Sequence, residues 1–229
     1  MDRDEASIGG IEKPLQPTRQ LFWATIFLDT MALLLAGYIG GMCYWFVLVY
    51  IGFSRLYSYR GIRLKRYPII GFITVVINQG ATVFALVYMA VSKEQHIAIP
   101  YEGLAISTLL IGGFYPITQI YQHQQDKADG VTTISMLLGK RGTFIFCALL
   151  YSISFGLLFL HYYELQQLLN FYVVQALFAP VIGYFLYWFV LVWKDEANAN
   201  FNYTMRMNWL ASVCTNLAFA LLICLQHYK

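Results

Sequence analysis

Long apolar blocks alternate with short polar segments along this chain. Most of the blocks are long enough to cross a hydrocarbon core about 30 Å thick, which takes about 20 residues of α-helix. They cover approximately residues 21–38, 42–54, 67–91, 103–120, 142–161, 168–193 and 207–226, and the second block is the shortest. The pattern predicts an all-α, polytopic transmembrane helical bundle of about seven helices, forming a single domain over residues 1–229.

Composition supports this class of protein. Hydrophobic residues make up 59% of the chain and charged residues only 12%, whereas soluble domains carry about 25% charged residues. An ordinary soluble domain is therefore excluded. We expect membrane lipid around the chain and no nucleic-acid partner.

Lys and Arg are distributed unevenly among the polar segments. If the N-terminal segment is cytoplasmic, every Lys and Arg except Lys93 and Lys229 falls on that side of the membrane. The positive-inside rule then places the N-terminus in the cytoplasm. Most acidic residues lie on the same side, so we expect the active-site loops to be cytoplasmic, in the inner membrane of a bacterial cell.

The polar segment at residues 121–139 lies between two long apolar blocks. Gln122, Asp126 and Asp129 are spaced so that they would share one face of a helix. Two interpretations stay open. The helix either presents carboxylates to a metal, or belongs to a solvated loop whose charges keep it out of the lipid.

Local signals also predict where the helices of this segment begin and end. Gly130 suits a left-handed cap at the end of the first helix. Thr132 or Thr133 would begin a short second helix, which Gly139 would end.

Four other polar features each leave two interpretations. Acidic residues within 2–5 would bind a hard cation or form an ordinary charged terminus. The five cations of residues 55–66 would bind anionic lipid head groups or a diphosphate. Asp29, inside the first apolar block, would belong to a site or bind a neighbouring helix. The polar residues 78–80 would serve helix–helix hydrogen bonding or line a polar cavity.

Three of these segments together resemble the UbiA superfamily of intramembrane prenyltransferases. Residues 121–139 resemble its second aspartate-rich motif, with Gly130, Thr133 and Gly139 where family members have Gly, Thr/Ser and Gly. Residues 57–68 are similar to the family's basic cytoplasmic loop. Residues 2–10 look like the downstream half of its first motif, which begins Asn-Asp-x-x-Asp. The three matches occur in the family's order and on one predicted side of the membrane.

The chain departs from the family's pattern in two places. Family members have nine transmembrane helices, with the first motif after the second helix. This chain therefore looks N-terminally incomplete, without two helices and the leading Asn-Asp. The family's Asp-x-x-x-Asp reads here as Gln122-x-x-x-Asp126, and Asp129 would compensate as a ligand one turn further along.

The resemblance implies a UbiA-type prenyltransferase. Such an enzyme transfers a prenyl group from an isoprenyl diphosphate to a small lipophilic acceptor, expected here to be aromatic and similar to a quinone precursor. It implies Mg²⁺ as the cofactor, Asp2 and Asp126 as catalytic residues, and metal ligands among Asp2, Asp4, Asp126 and Asp129. It further implies diphosphate binding by Arg60, Arg63, Lys65 and Arg66, and support of the second motif by Tyr121, Gln122 and Thr133.

Two other functions are compatible with the same sequence. A transporter or channel would bind a cation or substrate at the acidic inner face, with Asp29 and residues 78–80 along its path. A non-catalytic membrane subunit would need none of these groups.

Overall fold

A computed structural model of the chain describes residues 7, 10–15, 18–92 and 98–227. Within those ranges the chain is helical and has no β-strand, which confirms the predicted all-α fold. The helices are α1 (Arg19–Ile39), α2 (Cys43–Ser58), α3 (Pro68–Val76), α4 (Val83–Val91), α5 (Tyr101–Gln119), α6 (His123–Ala128), α7 (Ile134–Glu164), α8 (Leu168–Lys194) and α9 (Phe201–His227). A π-helix, Ile77–Thr82, joins α3 to α4, and short 3₁₀-helices span Leu64–Arg66 and Glu196–Asn198.

Each predicted apolar block coincides with a helix or with the continuous segment from α3 to α4. Five of these segments, among the described residues, are long and apolar enough to cross a membrane. They are Arg19–Ile39, Pro68–Val91, Ile134–Glu164, Leu168–Lys194 and Phe201–Leu225. The chain is therefore an integral membrane protein.

The other two predicted blocks form helices that are shorter or less apolar than these five segments. Helix α2 has 16 residues, which at 1.5 Å per residue give about 24 Å, less than the hydrocarbon thickness. Helix α5 has 19 residues but carries Glu102 in its first turn and Gln119 at its end. By length and apolarity alone, five of the seven predicted segments are candidate spans within the described ranges, and α2 and α5 are the other two.

The buried core lies where α5, α7, α8 and α9 meet. Phe144 and Trp188 are completely buried, and their rings meet edge to face with centroids 4.9 Å apart. The Trp188 indole N–H donates to the main-chain oxygen of Asn198 at 2.8 Å. Helix α5 packs closely against α7 at Gly113, which has no side chain. A Cβ added there would lie only 3.1 Å from the Tyr151 ring. This core fixes the ends of the helices that carry the polar loops.

The polar interruption at residues 78–80 forms part of the π-helix. The Asn78 side-chain amide donates to the main-chain oxygen of Tyr50 at 3.2 Å, which links the π-helix to α2. Gln79 lines a cavity. Both roles expected from the sequence are therefore present, on adjacent residues, and π-helical turns are frequent at functional sites.

Asp29 forms an ion pair with Arg55, which joins α1 to α2. This contact favours the helix-binding interpretation of Asp29. A charged side chain at membrane depth is expected to be paired in this way.

Candidate active site

A cavity of about 620 Å³ opens where the polar loops meet the helix bundle. We call it the loop-end cavity. Side chains that line it include Tyr57, Lys65, Gln79, Ile111, Phe114, Tyr115, Gln119, Tyr121, Gln122, Asp126, Thr133 and Asn208. Gln79 lies 11 residues beyond the start of α3 at Pro68, or roughly 16 Å along the helix axis at 1.5 Å per residue, so the cavity reaches well into the bundle. It therefore joins a charged mouth to an apolar and aromatic interior.

Helix α6 presents Gln122 and Asp126 to this cavity, as the sequence predicted. The helix ends at Ala128, and Gly130 follows with a positive φ of 67°. The Val131 N–H donates to the main-chain oxygen of Asp126 at 2.8 Å, and the Gly130 N–H donates to that of Lys127 at 3.2 Å. These bonds form a Schellman cap, which confirms the predicted left-handed turn at Gly130.

Asp129 differs from Gln122 and Asp126 in its surroundings. It lies one residue beyond the end of α6 and does not line the cavity. Its carboxylate is instead paired with Arg63. The Asp129 N–H still donates to the main-chain oxygen of Gln125 at 3.0 Å, and the chain turns away from the helix at Gly130.

The start of α7 also follows the sequence prediction. The Thr133 hydroxyl accepts a hydrogen bond from the Met136 N–H at 3.3 Å, which caps the helix. Gly139 then adopts a non-helical conformation with φ 68°, so the first turns of α7 end there before the long helix continues.

Beside this cap, His123 approaches the Ser135 hydroxyl at 2.8 Å, and Ser135 is hydrogen-bonded to Thr143 at 3.1 Å. Burial lowers the pKa of the His123 imidazole, and the charge of Lys140 lowers it further, although Glu196 acts in the opposite direction. The neutral form of the His123 imidazole is therefore favoured where it is hydrogen-bonded to Ser135.

The basic loop contributes its cations unequally. Lys65, in the 3₁₀-helix, lines the loop-end cavity. Arg63 is paired with Asp129. Arg60 and Arg66 are exposed and are not among the cavity-lining residues, and the Arg66 guanidinium lies 5.3 Å from the centre of the Tyr67 ring.

A set of hydroxyl and amide groups lines the cavity between the charged mouth and the apolar interior. The Tyr57 and Tyr115 hydroxyls are hydrogen-bonded to each other, and the Gln119 amide donates to Tyr115 at 2.7 Å. The Gln122 amide donates to the Tyr121 hydroxyl at 2.8 Å. Sequence reasoning missed Tyr115 and Gln119, although their spacing of four residues near a helix end was a usable signal.

The donors of this site are chemically suited to a hard cation. Among the described residues, no cluster of three or more His, Cys, Asp and Glu side chains could hold a metal alone. Mg²⁺ does not need one, because it is usually held by one or two carboxylates together with substrate phosphates and water. Asp126 supplies a carboxylate to the cavity. Asp2 and Asp4 lie outside the described residues. The assigned catalytic, metal and diphosphate roles stay predictions.

The sequence model of the UbiA prenyltransferase family matches residues 14–223. The chain therefore belongs to the UbiA prenyltransferase family, as the motifs suggested. The matched range begins after residues 2–10, on which the resemblance to the first motif rested. Neither the curated proteins nor the solved structures contain a match to this chain. Family membership makes the chain a prenyltransferase-type protein that acts on an acceptor within the membrane.

Proposed function

We propose that this chain transfers a prenyl group from an isoprenyl diphosphate to a small aromatic acceptor, with Mg²⁺ as its cofactor, in the loop-end cavity. One observation carries the proposal. Lys65 and Asp126, a cation and a carboxylate from two segments far apart in the sequence, line one cavity that continues into the apolar bundle. Such a cavity suits a substrate with a charged head and an apolar chain.

In the proposed reaction the carbon–oxygen bond of the prenyl diphosphate breaks, and the diphosphate leaves with the electron pair. An acceptor ring carbon then bonds to the allylic cation and loses its proton to the medium. Lys65 would lie against the departing diphosphate and stabilise its negative charge. The rings of Phe114, Tyr115 and Tyr121 would shield the cation from water and stabilise it through their faces.

Asp126 would hold Mg²⁺, with Asp2 and Asp4 as the further expected ligands. The metal, when bound, would supply positive charge to the diphosphate oxygens. Arg60 and Arg66 are exposed and lie within five residues of Lys65 in the sequence. Their positive charges would attract the anionic substrate. By the positive-inside rule, the basic loop further supports a cytoplasmic cavity mouth.

The transporter alternative is less well supported. It required Asp29 along a path, but Asp29 pairs with Arg55 and does not line the loop-end cavity.

Prenyl transfer is tested with the purified chain in lipid nanodiscs. Radiolabelled isoprenyl diphosphates of graded length are incubated with a panel of aromatic acceptors, in Mg²⁺ or in EDTA. We expect a lipid-soluble labelled product in Mg²⁺ and none in EDTA. Folded protein that forms no product with any acceptor would contradict the proposal, and equal product in EDTA would contradict the role of Mg²⁺.

A further inference from the structure

The basic loop and the loop after α6 are joined by three hydrogen bonds. The Arg63 guanidinium donates to the main-chain oxygen of Asp129 at 3.0 Å and forms an ion pair with the Asp129 carboxylate. The Thr132 N–H donates to the main-chain oxygen of Arg66 at 3.4 Å. We call these contacts the inter-loop bridge. They connect segments more than 60 residues apart in the chain.

The geometry of Arg63 indicates that the inter-loop bridge holds the two loops in one arrangement. Only 13% of the Arg63 side chain and 26% of the Asp129 side chain are exposed, so the pair is better shielded from solvent than an ordinary surface ion pair. Two guanidinium nitrogens bind one residue, which fixes its orientation as well as its distance. Arg63 also has a positive φ of 50°, a conformation that non-glycine residues keep only where their surroundings hold them.

The bridge lies next to the two charged residues of the cavity. Lys65 follows Arg63 by two residues, and Asp126 precedes Asp129 by three within the capped turn. Lys65 and Asp126 line the loop-end cavity, whereas Arg63 and Asp129 do not. A substitution in the bridge would therefore change the separation of Lys65 and Asp126, although the substituted residue itself does not line the cavity.

We propose that Arg63 and Asp129 are positioning residues, which set the distance between Lys65 and Asp126 and contact neither the diphosphate nor the metal. This inference rests on the proposed function. It replaces the expected roles of Arg63 as a diphosphate ligand and of Asp129 as a metal ligand. The ion pair depends on opposite charges at the two positions, so exchanging the charges should restore this part of the bridge.

Charge reversal tests this directly, with Arg63→Asp, Asp129→Arg and the double exchange. Each single variant should raise the KM for isoprenyl diphosphate and the Mg²⁺ concentration for half-maximal rate by roughly 2- to 100-fold, the range of coupling between contacting residues. The KM for the acceptor should stay unchanged. The double exchange should recover a substantial part of both losses, because it restores the ion pair but not the hydrogen bond from residue 63 to the main-chain oxygen of residue 129. Asp129→Asn keeps the hydrogen bond from Arg63 to the main-chain oxygen of residue 129, so it should give a smaller effect. It replaces the charge-reversal variants in the experiment if one of them does not fold.

A matched control is the exposed pair Arg141–Glu196, whose nitrogen and oxygen are 3.5 Å apart and whose side chains are about half exposed. Arg141→Glu should leave the KM values unchanged. A second readout needs neither metal nor substrate: amide hydrogen exchange of residues 129–133 should accelerate in the single reversals and slow again in the double exchange.

Three outcomes would overturn the inference. In the first, the double exchange is as poor as Arg63→Asp, which would make Arg63 a direct diphosphate ligand. In the second, neither single reversal changes a KM. In the third, the wild type transfers no prenyl group, so that the proposed function fails, and the single reversals also leave the hydrogen exchange unchanged. Faster exchange that the double exchange reverses would support the bridge even in an inactive protein.

Discussion

Gly80 lies where the π-helix contacts α5 with no room for a side chain. A Cβ added at this position would lie 2.6 Å from the Thr108 Cα and 2.9 Å from the Thr108 nitrogen. Both are main-chain atoms, so a rotamer change cannot relieve the overlap. We predict that Gly80→Ala separates the π-helix from α5 and moves the adjacent Gln79 within the cavity.

The size of the effect follows from the geometry. Carbon atoms in favourable contact are about 3.5–4.0 Å apart, so the two segments must separate by about 1 Å. Overpacking of this kind costs about 1–3 kcal/mol, and a main-chain obstacle favours the upper end. The higher helix propensity of Ala offsets up to about 1 kcal/mol. A net loss of about 2 kcal/mol corresponds to a fall in Tm of about 4–8 °C for a chain of this size.

The measurement is thermal unfolding of the wild type, Gly80→Ala and Gly52→Ala in identical nanodiscs. Gly52, in α2, has no atom within 4 Å of an added Cβ. Gly52→Ala should therefore keep or slightly raise the Tm. An unchanged Tm in Gly80→Ala, with Gly52→Ala behaving as expected, would refute the close approach of the π-helix to α5.

Variants at three further contacts are tested by the same measurement. Asp29→Asn leaves the Arg55 charge without its carboxylate in the membrane, so the Tm should fall, and Asp29→Leu combined with Arg55→Leu should recover most of the loss. Burial and Lys140 lower the pKa of His123, so the folded state binds fewer protons there than the unfolded state, and stability should fall as the pH drops below about 6.5; His123→Gln should flatten that dependence. Thr133→Ala removes a helix cap and should cost about 1 kcal/mol, or about 2–4 °C in Tm, whereas Thr133→Ser should retain most of the stability.

Each of these variants has its own contradictory result. A stable Asp29→Asn would indicate that the ion pair with Arg55 contributes nothing. A pH dependence that survives in His123→Gln would assign it to another group. Equal stability of Thr133→Ala and Thr133→Ser would argue against the cap.

The local structure around the site was predictable from short stretches of sequence. Gly130 and Thr133 mark a cap and a helix start through interactions within a few residues, and both behave as expected. Gly139 likewise interrupts α7 where predicted. These positions are decided by backbone conformation and local hydrogen bonds, which nearby residues determine.

The contacts between distant segments were not predictable in the same way. The pairing of Arg63 with Asp129 depends on how the basic loop packs against the end of α6. Spacing within α6 gave no indication that Asp129 pairs with Arg63 and lies outside the cavity lining. The hydrogen bond between the Tyr57 and Tyr115 hydroxyls depends on the approach of α2 to α5. Periodicity within one helix carries no information on these partners.

Prenyl transfer in the loop-end cavity is tested most directly by the rate of labelled product formation in Asp126→Asn and Lys65→Gln. Removing one group that stabilises developing charge typically costs about 10²- to 10³-fold in rate. We therefore expect a fall of at least about 100-fold in each variant, with the wild-type Tm retained. Asp195→Asn, at an exposed acidic residue outside the cavity, should transfer at the wild-type rate. Folded Asp126→Asn and Lys65→Gln proteins that transfer as fast as Asp195→Asn would place the reaction elsewhere.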